Sequence, residues 1–284
     1  MKWFNKNDTE RQQPKLGLAL SGGATRGMAH IGVLKVLQEA NIRPAFLAGT
    51  SIGALVAAFQ AFDIPIDEMY DQAKEMSWTS ISTFSPSRAG FLSNRVIGEI
   101  IERHIGDVNI EDANTPLAIV ATDIHNGDKI ILRKGNLATA VMASSSIPGI
   151  FTPVEIDGRK LVDGFLVENV PVSPLQEMGA DVILGVSLST LREYREPSGM
   201  INILMNAFEI AVDENVRMLL KNVDLLITPA LGDIAIDDEI RPQALFDEGY
   251  AAAQEKITVL SEILRKKEKK LNRGFWHKLL LSFK

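Results

Sequence analysis

Ser51 stands in Gly49-Thr50-Ser51-Ile52-Gly53, between an apolar run, Pro44 to Ala48, and a run of small and apolar residues, Ala54 to Phe59. The first run reads as a buried strand and the second as a helix. G-x-S-x-G between a strand and a helix is the pattern of a nucleophile elbow. So sharp a turn strains the serine backbone and presses neighbouring chain against the positions two before and two after it. Glycine, without Cβ, tolerates that approach. The hydroxyl then lies at the positive end of a helix, which favours developing negative charge. The competing reading is a strand-to-helix turn with an incidental serine.

A second glycine-rich turn follows the first strand pattern, Lys15 to Leu20. It reads Ser21-Gly22-Gly23-Ala24-Thr25-Arg26-Gly27 and leads into a helix bearing Met28, Ile31, Val33, Leu34 and Leu37. Gly22 and Gly23 leave backbone N–H groups unobstructed at the strand end. Donors held there suit an oxyanion hole, where one donor contributes roughly 3 kcal/mol to the transition state. Arg26 adds a positive charge nearby. A dinucleotide loop wants glycine at its first, third and sixth positions. Gly22 and Gly27 fit that pattern, but Ala24 does not. A nucleotide phosphate loop ends in Gly-Lys-Ser/Thr, and here Gly27 precedes Met28 and Ala29. A plain tight turn remains as the alternative.

Histidine supplies no good base. His30 falls inside the first helix pattern, His104 in an amphipathic stretch, His125 beside the turn Asn126-Gly127, and His277 in the C-terminal tail. In triads built on this elbow the histidine comes last in chain order. Only His277 has that place, in a charged, peripheral-looking segment. Asp163 is the better candidate. Asp157-Gly158 reads as a hairpin turn between two short strands, so Asp163 ends a strand and Gly164 lets the chain leave sharply. A carboxylate against a serine hydroxyl, kept from water, gains basicity and acts as a general base. Taken alone, Asp163-Gly164 reads first as turn chemistry.

These blocks together resemble the patatin-like phospholipases. The resemblance runs from about Leu16 to Ile227 and rests on G-G-A-T-R-G, G-T-S-I-G and the downstream Asp163-Gly164. It implies lipid acyl hydrolysis by a Ser–Asp dyad. Ser51 would be the nucleophile and Asp163 the base, with Gly22, Gly23 and Ala24 lining the oxyanion hole and Arg26 beside it. A further block, Ala143 to Phe151, would pack small residues and Pro148 near the site. Ala24 stands where the family often has a third glycine, and Phe165 where it often has Gly or Ala. The implied substrates are carboxylic esters of phospholipids or lysophospholipids, and no cofactor is called for.

The elements that must position these residues alternate. Strand patterns lie near 16–21, 45–49, 117–123, 129–133, 154–156, 160–163, 182–187 and 224–228. Helix patterns lie near 27–40, 52–61, 67–76, 94–105, 136–145, 200–221 and 242–268. With 284 residues and 46% hydrophobic content, this predicts an α/β fold of three layers. Its sheet is mainly parallel, made mixed by two hairpins, with helices on both faces. The expected organisation is a polar arm over 1–14, an acyl hydrolase domain over 15–264, and a basic amphipathic tail over 265–284.

Two segments stay open to two readings. Ser77 to Asn94 is polar but studded with Trp78, Ile81, Phe84, Phe91 and Leu92. Its Ser, Gly and Pro residues predict irregular chain, either a flap over an acyl pocket or an ordered surface loop. The tail carries eight basic residues and one acidic, a net of +7, so the −6 chain has a −13 body. Phe275, Trp276, Leu279, Leu280 and Phe283 share one helix face. That combination reads as an anchor for an anionic membrane surface, or as a basic helix end docked on the body.

The polar opening residues do not form a signal-peptide pattern, and no segment has the length of apolar chain a span needs. Cysteine is absent, and no cluster has metal-ligand spacing. The acidic body argues against specific nucleic-acid binding. The expectation is a cytoplasmic protein that visits the inner membrane face. The alternatives to a hydrolase are a catalytically silent, membrane-associated interaction protein of the same fold and, further off, a nucleotide-binding protein.

Overall fold

Every residue of β1 (Leu16–Leu20) is buried, so the strand is covered on both faces. Its alternation sorts the layers. Leu16, Leu18 and Leu20 enter the larger core cluster, and Ala19 enters a smaller one. β2 (Phe46–Thr50) and β9 (Val182–Val186) alternate in the same way. Leu47, Val182, Leu184 and Val186 face the larger cluster, while Ala48 and Ile183 face the smaller. The computed structural model describes residues 13–75, 83–87, 90–188, 199, 203, 207, 210, 220–231 and 242–281.

On the larger-cluster face lie α1 (Met28–Glu39), α2 (Ile52–Ala61), α3 (Ile66–Glu75), α4 (Arg95–His104), α5 (Leu137–Ser144) and the long α8 (Pro242–Leu281). On the other face are the short α6 (Phe165–Glu168) and α7 (Val172–Glu177), which pack over small residues of the sheet. The sheet is mixed, and the layers are those the sequence predicts. Among the described residues its order is β10-β9-β1-β2-β5-β8-β7, with β6 on β5. Here β5 is Leu117–Asp123, β6 Lys129–Leu132, β7 Val154–Ile156, β8 Arg159–Asp163 and β10 Leu225–Ile227. The pairings among β10, β9, β1, β2 and β5 are parallel, whereas β6 and β8 run antiparallel to β5.

The register on β5 positions the site. β2 pairs with it from Leu47↔Leu117 to Thr50↔Val120. β6 pairs from Ile119↔Leu132 to Thr122↔Lys129 and so takes the opposite edge. β8 pairs from Ala121↔Asp163 to Asp123↔Leu161, on the edge that β2 has just left. β2 and β8 therefore meet end to end, with Thr50 and Asp163 opposite consecutive residues of β5.

The structure departs from expectation in three places. Within Ser77 to Asn94, predicted to be irregular, the backbone forms an antiparallel pair, β3 (Thr83–Ser87) and β4 (Gly90–Ser93). Its register shifts between Phe84 and Ser87, where Pro86 has no N–H to donate. The flap reading and the side chains on which it depends lie outside the described residues. α6 and α7 were not anticipated, because each is too short to show a period. The helix expected over 242–268 continues unbroken to Leu281, because its Lys- and Arg-rich stretch consists of good helix formers. The helix pattern at 200–221 and the arm at 1–14 fall almost wholly outside the described residues.

Candidate active site

Ser51 links β2 to α2 with φ 54 and ψ −127. A residue with a Cβ held in so sparsely populated a positive-φ conformation costs on the order of 1–3 kcal/mol, so neighbouring groups must hold it there. The Ser51 N–H donates to Ser144 Oγ at 2.9 Å, and Ser144 Oγ donates to the Val120 carbonyl at 2.6 Å. The Ser51 carbonyl accepts from Ala54 and Leu55 as α2 begins. A Cβ on Gly49 would overlap the Gly53 carbonyl, and one on Gly53 would overlap that of Leu20. Both glycines are thus required by close backbone approach.

Asp163, the last residue of β8, is 1% exposed. Its N–H donates to the Ser146 carbonyl at 2.9 Å, and its own carbonyl accepts from Thr122 Oγ1 at 2.9 Å. One carboxyl oxygen accepts the Phe165 N–H at 3.0 Å. The Ser51 hydroxyl lies close enough to the same carboxyl group to lower its pKa. Burial pushes the Asp163 pKa up to about 7, against the lowering effects of the Phe165 N–H and the Ser51 hydroxyl. Phe165 turns away, packing in the smaller core cluster beneath the sheet.

The glycine-rich loop sits against the elbow. A Cβ on Gly22 would lie 3.2 Å from Ser51 Cβ and 2.8 Å from Asn169 Oδ1. The Gly22 N–H donates to Asn169, at 3.0 Å to Oδ1 and 3.3 Å to the backbone carbonyl. Sequence reasoning grouped Gly22 with Gly23 and Ala24 as donors, but here its N–H ties the loop to Asn169. Among the described residues, no hydrogen bond engages the N–H of Gly23 or Ala24. Ala24 has φ 49, a conformation that explains the preference for glycine there. The buried Arg26 reaches the Leu188 carbonyl at 3.4 Å, anchoring the loop to the chain beyond β9.

Two supporting residues escaped sequence reasoning. Asn169 is buried and fixes Gly22. Its preceding neighbour Glu168, also buried, accepts from Lys129 Nζ at 2.9 Å and from the Ser173 N–H at 2.7 Å. The Glu168 carbonyl accepts from Thr50 Oγ1 at 2.9 Å, next to the elbow. Glu168-Asn169 before Val170-Pro171 was the available signal: two polar residues inside an apolar stretch. Ser144 was noticed only as one of several small residues.

The described histidines have other partners. His30 Nε2 lies 2.8 Å from the Ser21 carbonyl, which only accepts, so Nε2 carries the proton. Burial lowers the His30 pKa to about 4, although that hydrogen bond raises it. His104 sits between Glu68 and Gln72, with its ring nitrogens 2.7 and 2.6 Å from their side-chain oxygens. His125 is exposed in the β5–β6 turn. The side chain of His277 lies outside the described residues.

Together the fold and site define a layered α/β protein with an elbow serine beside a buried carboxyl group. A family model described as patatin-like phospholipase matches residues 18–175, more than half of the chain. The chain belongs to the patatin-like phospholipase family. It is 36% identical over 179 residues to an uncharacterized NTE family protein of Mycobacterium bovis, covering 62% of this chain and 49% of that one. It is 30% identical over 184 residues to lysophospholipase NTE1 of Phaeosphaeria nodorum, covering 63% of this chain and 12% of that one. The chain thus spans at most about half the length of these curated relatives. Among solved structures it resembles VipD from Legionella pneumophila, with a TM-score of 0.60 and 14% identity. That likeness covers 86% of this chain and 66% of the other, and concerns the fold alone.

Proposed function

We propose that this chain is a serine acyl hydrolase for carboxylic esters of phospholipids or lysophospholipids, acting through an acyl-enzyme. The observation that carries this reading is the approach of Ser51, strained at the elbow, to the buried Asp163 carboxyl group where β2 and β8 meet on β5. Ser51 Oγ attacks the ester carbonyl as its proton passes to Asp163. The tetrahedral oxyanion takes the N–H groups of Gly23 and Ala24, while Gly22, tied to Asn169, and Arg26, tied to Leu188, hold the loop in place. Collapse breaks the ester C–O bond, and the leaving alcohol takes the proton from Asp163. Water then attacks the acyl-enzyme, giving a proton to Asp163. Release of the carboxylic acid returns that proton to Ser51. A base with a pKa near 7 suits both proton transfers.

We further infer that the reaction takes place at an anionic lipid surface. Arg265, Lys266, Lys269, Lys270 and Arg273 are exposed on α8 at the spacing of one helix face. Lys267, between them, faces Asp181 at 3.8 Å, so the body lies on the other side. Among the described residues, no helix is long and apolar enough to cross a membrane. Fatty acid release from lysophosphatidylcholine and from a diacyl phospholipid tests the hydrolase reading. Wild type should release acid from at least one of them, and Ser51→Ala should not. A folded Ser51→Ala protein that keeps more than a few per cent of turnover would refute it.

A further inference from the structure

An apolar groove between α1, α2 and α3 begins beside the elbow. Ala24 and Gly27 of the loop line it together with Ile52, the residue after Ser51. Loop and helix touch there, since a Cβ on Gly27 would overlap Ile52. From this mouth the groove follows one face of α2 through Val56 to Phe59, and Met69 of α3 also lines it. Phe59 and Met69 are buried. Phe59 is backed by His104, ring centroids 5.8 Å apart. The hydrogen bonds of His104 to Glu68 and Gln72 fix that ring against α3.

From this we infer that the groove receives the straight acyl chain of the ester, and that Phe59, braced by His104, is the wall that limits chain length. The inference rests on the hydrolase reading for its orientation. An acyl group on Ser51 with its oxygen on Gly23 and Ala24 has Ala24 and Ile52 as neighbours, and both line the mouth. Apart from Thr25 and Gln72 the lining is apolar, as an acyl chain requires. From Ile52 to Phe59 the helix rises about 10 Å, room for a chain of medium length and not for the whole of a long one. A head group is too polar for these walls, so it stays outside the groove.

The test compares kcat/KM for p-nitrophenyl butyrate, decanoate and palmitate in wild type, Val56→Phe and Phe59→Ala. Wild type should gain from butyrate to decanoate and gain nothing more at palmitate. Val56→Phe, which narrows the groove midway, should lower the decanoate-to-butyrate ratio about tenfold, the scale at which pockets discriminate apolar groups. Phe59→Ala should raise the palmitate-to-decanoate ratio severalfold. If Phe59→Ala does not fold, Val56→Phe decides. In parallel, calorimetry measures decanoate binding to wild type and Val56→Phe. Turnover with unmoved ratios would overturn the groove and leave the hydrolase standing. Inert esters with decanoate binding that Val56→Phe abolishes would overturn the hydrolase and keep the groove as a fatty-acid site. Neither turnover nor binding would overturn both.

Discussion

At the scale of single residues the site holds a carboxyl group that burial has made a better base. On the proposed mechanism Asp163 must be ionised in the free enzyme to accept the Ser51 proton, so kcat/KM on a soluble ester should rise with pH and level off above about 7. Asp163→Asn should lower turnover by ~10²–10⁴. His30, His104, His125 and His277 changed one at a time to Gln should not match that loss. A folded but dead histidine variant would point to a triad instead. The same shift bears on stability. Folded Asp163 holds its proton up to about 7 and the unfolded group only to 3.8. Its contribution is therefore present below about pH 4 and lost as pH rises to 7, on the order of 4 kcal/mol in all. His30 works in the opposite sense, because stability is lost as pH falls from 6.5 towards 4. It cancels when two proteins that both retain it are compared. Urea unfolding should then show Asp163→Asn gaining on wild type by a few kcal/mol between pH 4 and pH 8. A constant difference would mean that the carboxylate is not buried at this cost.

Between elements, the decisive fact is that β2 and β8 abut on one edge of β5, which brings Ser51 to Asp163. Ser144 at the end of α5 clamps the junction by joining the Ser51 N–H to the Val120 carbonyl. Ser144→Ala strands two buried groups and should cost about 2–3 kcal/mol. It should also lower kcat in the protein that remains folded, because the elbow loses its brace. Equilibrium unfolding and single-substrate kinetics on the same sample check both parts, and an intact kcat would make Ser144 merely structural. This scale also separates what the sequence disclosed from what it concealed. The elbow was legible because its glycines answer a local steric demand. Strand alternation was legible because Leu16, Leu18 and Leu20 share one face. The role of Asn169 was not, since its bond to Gly22 spans 147 positions. Asp163-Gly164 looked like any turn because the pairing of β8 with β5 is non-local. The β3–β4 pair was hidden by Pro86 and its serines.

For the whole molecule, the basic tail proves to be the end of one helix. α1 and α8 cross closely at Gly32 and Gly249, where an added Cβ would overlap the partner's backbone, and α8 then runs on past 265 without a break. Composition changes at that point while helix propensity does not, which is why charge alone suggested a separate tail. Removing 265–284 should weaken sedimentation with anionic vesicles, each basic residue near the surface contributing about 1 kcal/mol. Wild-type binding should fall as salt rises. Turnover of a short soluble ester should change little, since the strands carrying Ser51 and Asp163 lie elsewhere. If the truncated protein still pellets like wild type, the tail is not the anchor. If its melting temperature collapses, the Lys267 side of α8 is part of the folded body. The most direct test of the central claim is covalent labelling by a fluorophosphonate, with the modified residue mapped by mass spectrometry. A single adduct on Ser51 is predicted, lost in Ser51→Ala and much slowed in Asp163→Asn. Labelling at another serine, or none in folded wild-type protein, would contradict it.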